Sequence, residues 1–422
     1  MQKILCLLII AYLLMFGCSA TKPNTANLSE DADNRDDINM ANTKAESEYE
    51  LDSENNSVSW TIENDTLIIY GSGQMENYEA APPWYEKANV INRILIKHGI
   101  TSIGDKAFWG LSHVSEAIIP DSVKNIGIGA FASCSNLLDI VIPGNVATIG
   151  DNAFEECGHL GTVTISNGVQ EIGSYAFYKC SSLYDVTIPG TVSDIGKRAF
   201  SNCDSLKTVT ISVGVKRIQN DAFEGCYQLE SIYIPSSIEQ IGDAAFAFCD
   251  SLGTVVIEHG TKSLGKHCFK KCNSLAKIEL PGSVKVIGES AFDECSALKT
   301  VSIGNGVENI ESYAFANCIA LQQIIIPDSV VVIGDYAFGN CSSLVSVTIG
   351  TNTNTIGENA FVNCSSLTTI SLPVSLSYIG AHAFMNCYDL SDIYYGGSEK
   401  QWNSIQGSND FWLSSKEPHF NS

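Results

Sequence analysis

The chain has 422 residues, 45% of them hydrophobic, with 47 Asp and Glu against 24 Lys and Arg and a formal net charge of −23. That balance excludes the basic stripe with which a nucleic-acid binder displaces counterions, and it excludes docking on anionic lipid through charge. An acidic surface of this kind keeps an exported protein soluble.

Residues 1–17 read as an export signal. Lys3 supplies a minimal positive start, and the apolar run from Ile4 to Phe16 falls short of the roughly 20 residues a spanning helix needs. The run ends in Met15-Phe16-Gly17-Cys18, which resembles a bacterial lipobox. Cleavage before Cys18 would leave its thiol to carry lipid, and two or three acyl chains hold a protein stably on a membrane. Phe16 is bulkier than usual at its position and Met15 replaces the commoner Leu. An ordinary signal peptide with an incidental Cys18 is the alternative. Residues 18–56 are polar and acidic, without apolar periodicity. They cannot bury enough surface to offset their ordering entropy, so they read as a disordered tether kept extended by like charges.

Residues 57–92 read as a β-rich N-terminal cap. Val58, Trp60 and Ile62 alternate with polar residues, Asn64-Asp65 makes a turn, and Leu67 and Ile69 resume the alternation, which is a hairpin pattern. Pro82-Pro83-Trp84-Tyr85 adds aromatic bulk, and Trp60 and Trp84 are expected to be buried there. The exposed hydrophobic end of a stacked array needs such a cap.

From 93 to 395 one unit recurs every 23 residues without insertion or deletion. Its Phe falls at 108, 131, 154 and onward in equal steps to 384, and a fixed period of this size is the signature of a solenoid. Leu137-Leu138-Asp139-Ile140-Val141-Ile142-Pro143 opens a full unit. A short strand there sends Ile140 and Ile142 inward, and Pro143 ends it. Val146 and Ile149 form a second inward edge. Gly150 is read as a corner with positive φ, and Asp151 as the cap of a short helical turn. Ala153, Phe154 and Cys157 then face inward at near-helical spacing. Pro stands at 143, 189, 235, 281, 327 and 373, and Ser166, Ser212, Glu258, Gly304 and Gly350 fill the alternate units. This is a 46-residue superperiod. Twelve of the 15 cysteines share one phase, from Cys134 to Cys387, and Cys268 replaces an Ala. They read as a buried ladder of small apolar side chains, pointing the same way and so poorly placed to bridge. Residues 396–422 read as a C-terminal cap and polar tail, with Trp402 closing the core. The expected fold is an α/β solenoid of about 13 coils, with a parallel strand ladder on the concave side and short helical turns on the convex side.

The pattern Leu137…Ile140-Val141-Ile142-Pro143…Val146…Ile149-Gly150…Ala153-Phe154…Cys157 resembles the BspA-type bacterial leucine-rich repeat, also described from treponemal surface proteins. The likeness covers about residues 93 to 395, and the flanks WTIENDTLIIYGSGQMENYEAAPPWY and YYGGSEKQWNSI resemble end modules of such proteins. The resemblance implies an exported or surface-attached binding protein. The family is associated with adhesion to host matrix and plasma proteins, to epithelial cells and to other bacteria. No catalytic residues are defined for the repeats, so none carries over.

The residues themselves give no enzyme. The seven histidines do not converge as a zinc site requires, and the Ile-Gly pairs are coil corners, not phosphate loops. No Ser or Thr has a His–acid pair placed to activate it. No cofactor, metal or nucleic acid is expected. Outward strand positions are Thr-rich, which suits a β-surface. Tyr184, Tyr233, Val256, Glu279 and Ile325 stand out among them as candidate ligand contacts, because exposed aromatic and apolar points are enriched in interface cores. The reading is a lipid-anchored surface protein that engages a host or bacterial protein through its concave face as an adhesin. A structural or self-associating envelope protein is the first alternative. A glycan-binding module, with tyrosines stacking on sugars, is the second.

Overall fold

In a computed structural model, residues 57–407 and 416–420 are described. The proposed signal, Cys18 and the tether lie outside them. The described residues belong to one compact unit.

Each coil has three sides, and each side stacks on its counterpart in the next coil. The first side is a four-residue strand such as Asp139–Ile142, with Ile140 and Ile142 buried and Asp139 and Val141 exposed. It pairs in parallel with Thr162–Ile165, residue for residue at a spacing of 23. The second side is a two-residue strand such as Thr148–Ile149, and these form one continuous ladder of 14 strands. That ladder runs one rung beyond the expected 13 coils, because Gly73–Gln74 of the N-terminal segment supplies its first member.

The third side corrects the expectation of helical turns. No coil contains a helix among the described residues; the helical segments are Tyr85–Lys87 and Glu399–Trp402, in the two end segments. Asn152 and Glu156, flanking Ala153-Phe154, both take left-handed φ of 58°, which breaks any α-helix. Alternate amides then serve two purposes. Those of Ala153, Glu155 and Cys157 bond three residues back within the coil, while those of Asn152, Phe154 and Glu156 donate to the carbonyls of Ser174, Ala176 and Tyr178 in the next coil. A left-handed non-glycine residue costs about 1–2 kcal/mol. Each inter-coil bond returns about 1 kcal/mol and removes a buried unpaired amide, so the turn side is a hydrogen-bonded ladder too. Near-helical spacing of Ala153, Phe154 and Cys157 is equally produced by these successive turns.

Two corner residues also differ from expectation. Gly150 has no positive φ; it is needed because a Cβ there would lie 2.7 Å from the backbone carbonyl carbon of Gly127 in the preceding coil. Asp151 caps no helix. Its Oδ1 accepts the amide of Ser174 across the coil junction at 2.6 Å.

The 46-residue superperiod has a structural cause. Where the residue after the strand is not proline, its amide closes the end of the ladder: Ser166 donates to Ile142 O and Ser212 to Ile188 O. Proline has no such donor. Four junctions into non-proline coils accordingly pair along all four strand residues, at 139/162, 185/208, 231/254 and 277/300, while the junction into the Gly350 coil pairs along three. Junctions into proline coils pair through one or two residues at Pro189, Pro235 and Pro327, and the strand ladder is interrupted before Pro143 and Pro281. Two proline junctions, at Pro120 and Pro373, keep three pairs. The opening reaches the core, where Ile165 and Ile257 are 7% exposed against 0% for Ile142 and Ile234.

The core is a set of like-on-like columns. Phe rings from Phe131 to Phe384 stack with centroids 5.1–5.4 Å apart and planes within 9°. The thirteen cysteines described are all free and buried. Those of the ladder donate their thiols to the Phe carbonyl of the preceding coil, as Cys157 does to Phe131 O at 3.2 Å. Trp84 closes the column at one end, 6.0 Å from Phe108, with its indole N–H on Ala107 O. Trp60, expected to be buried, is 39% exposed and packs edge-on against Trp84. The hairpin Val58–Glu63 with Thr66–Gly71 is antiparallel, and its second strand pairs in parallel with Arg93–Ile96. At the other end Trp402 is buried beside Tyr395. The tail returns as a strand, His419–Phe420, laid along Asp392–Tyr395.

Candidate functional site

Strand periodicity of two turns every second residue of the four-residue strands outward, and this builds a broad face with threonine as its commonest residue. Of the candidate residues, Tyr184 is 52% exposed, Tyr233 47%, Val256 45% and Ile325 67%. The structure brings two of them together: Tyr233 and Val256 are register partners on adjacent strands. Glu279 stands on the next strand, across the interruption before Pro281, and pairs with Lys277 of its own strand. Tyr184 and Ile325 stand on other coils and belong to separate patches.

Electrostatics fix two of these side chains. The Tyr233 hydroxyl donates to Glu258 and is the main reason that carboxyl is held below its usual range. Lys207 is raised by its bond to Glu230, 3.1 Å away, and to a smaller extent by Tyr184. Across the rest of the surface, basic groups are largely consumed by pairs between neighbouring coils, including Arg217–Asp194, Lys266–Glu289 and Lys285–Glu308. Asp194 is held below the usual carboxylate range, chiefly by Arg217. The surplus of negative charge is left for solvent.

Sequence reasoning missed several exposed apolar residues on the same side. Leu138 (57%) stands beside Val141, and Val345 stands one coil beyond Ile325. Their signal was present in the position just before each strand, where most coils carry Gly, Lys, Glu, Gln, Thr or Ser. Apolar residues there have no core to face. Among the described residues no group of three or more His, Cys, Asp or Glu could hold a metal ion, and no helix is long and apolar enough to cross a membrane.

A parallel strand ladder with columns of buried Leu, Ile, Phe and Cys along the coils and a solvent face of short strands defines a leucine-rich repeat solenoid. The BspA-type leucine-rich repeat model matches in three stretches, 85–184, 170–299 and 285–406. The chain belongs to that family. A leucine-rich repeat protein from Bacteroides ovatus is 28% identical and covers 89% of this chain and 100% of its own, with a TM-score of 0.57. A leucine-rich cell surface protein from Faecalibacterium prausnitzii is 27% identical over 83% of this chain and 96% of its own, with a TM-score of 0.43. None of the curated proteins is similar enough to this chain to count as a relative.

Proposed function

We propose that this solenoid is an exported, surface-displayed protein-binding array, anchored by lipid at Cys18, that acts as an adhesin toward matrix or cell-surface proteins. The observation that carries the reading is the pair Tyr233 and Val256, exposed side by side and flanked at the same strand position by Thr210 and Glu279 of the neighbouring coils. Aromatic and apolar anchors surrounded by polar residues are the composition of an interface centre and rim. Membership of a leucine-rich repeat family supports a role in binding other proteins. Leu138 with Val141, and Ile325 with Val345, would extend the contact along the coil axis, so that one ligand meets several coils.

The test is binding of the full chain to immobilised matrix proteins, before and after the double change Tyr184→Ala and Tyr233→Ala. Both side chains are half exposed, so folding should be retained while affinity falls about tenfold or more, as loss of a hot spot requires. Unchanged binding by the double variant removes the site from this face. Mass spectrometry of the mature N-terminus tests the anchor separately, since a lipoprotein begins at a diacylated Cys18.

A further inference from the structure

A trough of about 600 Å³ opens on the corner where the turn side leads back toward the strands. It lies between two rows of side chains that each advance one coil per residue. Phe248, Lys271 and Glu294 form one row, and Asp250, Asn273 and Ser296 the other. Each row spans about 10 Å.

Phe248 is the anomaly. It stands at the second left-handed position of its coil, with φ of 61°, where a bulky side chain is disfavoured. Asn holds the place in five other coils, at Asn202, Asn317, Asn340, Asn363 and Asn386, and Ser, Glu or Lys holds it at Ser133, Glu156, Lys179, Lys271 and Glu294; Phe248 is the aromatic among them. Gly225 holds it in the preceding coil, and the space beside Gly225 is reached by Asn202 Oδ1 and the Tyr227 hydroxyl. Lys271 Nζ lies over the ring, 5.5 Å from its centre. A strained aromatic kept partly open to solvent is a feature that packing does not call for.

The walls around it are dense in planar polar groups. Asn273 donates to Asp250 Oδ1 at 3.0 Å, and Ser296 donates to Asn273 Oδ1 at 3.2 Å, making a chain of bonds along the coil axis. Opposite, Glu294 lies 3.4 Å from Lys271 Nζ. Two observations narrow the ligand. Asp250 and Glu294 line the trough with one ammonium, Lys271, and the Lys270 ammonium 3.4 Å from Glu294 is itself paired with Asp293 at 2.7 Å, so the local balance stays negative and repels a polyanion. The amides of Phe248, Lys271 and Glu294 already donate to the next coil's carbonyls, so an extended peptide finds no edge to pair with. What fits is a ligand that brings its own dense hydroxyls and one apolar ring face: the hydroxyls match the Asp, Asn and Glu acceptors and donors, and the ring face matches an aromatic surface.

We propose that this trough is a binding subsite for a neutral oligosaccharide, with Phe248 as the stacking platform and Asp250, Asn273 and Glu294 bonding hydroxyls. The site is independent of the strand face, so the Tyr184→Ala, Tyr233→Ala variant should bind sugar as the parent does.

The experiment titrates the full chain with maltotetraose, cellotetraose and tetra-N-acetylchitotetraose, read by saturation-transfer NMR, with a heparin tetrasaccharide and an aromatic tetrapeptide alongside. At least one neutral sugar should saturate, with transfer to its ring protons, and heparin should not. Phe248→Asn should weaken that sugar by about tenfold or more, while its melting temperature holds or rises because Asn suits the left-handed backbone. Asp250→Ala, a change at an exposed residue, should also weaken binding and gives a second readout should Phe248→Asn fold poorly. Absence of transfer to all three neutral sugars overturns the proposal. So does undiminished binding in both variants, or a trough that takes the tetrapeptide and no sugar.

Discussion

Raising the pH above 9 should unfold the solenoid through its cysteines. Burial holds the thiols of Cys134 and Cys341 near 12 against an ordinary value of 9.0. The same cause raises nine others: Cys157, Cys180, Cys203, Cys226, Cys249, Cys268, Cys272, Cys318 and Cys364. The folded chain keeps these protons and the unfolded chain surrenders them above its ordinary value. Their contribution is therefore whole below pH 9 and lost as the pH climbs toward the folded-state values. At about pH 10 each thiol favours the unfolded chain by about 1 kcal/mol. Eleven such groups together give on the order of 10 kcal/mol, comparable with the whole stability of about 5–15 kcal/mol common for a domain. The assay is an alkaline titration under reductant, following thiolate absorbance and far-ultraviolet circular dichroism together. Both should change in one steep transition. Replacing three rungs, Cys318→Ala, Cys341→Ala and Cys364→Ala, should lower stability at neutral pH but make the alkaline slope shallower, in the ratio of eleven groups to eight. If thiolate absorbance rises near the ordinary 9.0 while the dichroism is unchanged, the thiols ionise in the folded chain and the reasoning fails.

Two further outcomes follow from the columns and the strand junctions. Phe246→Ala removes a fully buried ring from the middle of the stack and should cost about 3–5 kcal/mol, measured by denaturant unfolding; a cost under about 1 kcal/mol would mean that the coils close over the gap. Pro235→Ser restores an amide facing Ile211 O, as Ser212 has facing Ile188 O. Hydrogen exchange at Tyr233 and Ile234 should slow, and unchanged exchange would show that proline is not what holds that junction open.

Much of the fold was legible because packing repeats. Leu137, Ile140, Ile142, Val146, Ile149, Ala153, Phe154 and Cys157 were read as inward from one unit, and each is at most 2% exposed. The turn side was misread because left-handed backbone is usually announced by Gly or Asn, whereas here Tyr175, Lys179, Arg198 and Phe248 adopt it. Their conformation is imposed by amides that must reach the next coil, a constraint no local stretch of sequence displays. Gly150 was misread for the complementary reason, since its lack of a side chain serves the neighbouring coil and not its own φ. Exposure at Tyr233 and Ile325 followed from strand alternation. The Phe248 trough did not, because its two rows join positions two residues apart in the chain across three coils, and only stacking makes them walls of one space.

The alternation of proline and non-proline junctions bears on how such a chain can change length. Removing residues 185–230 would set the coil of Ser166 beside that of Pro235, a junction of a kind already present, and every other neighbour relation would stand. Removing 162–184 alone would place Pro143 beside Pro189 and repeat the arrangement of Pro120 and Pro143, where the strand ladder is interrupted. Gain or loss of coils in steps of 46 residues would thus preserve the alternation of junctions, which a step of 23 would break. The length of the array can thereby change in discrete increments that leave both end segments as they are.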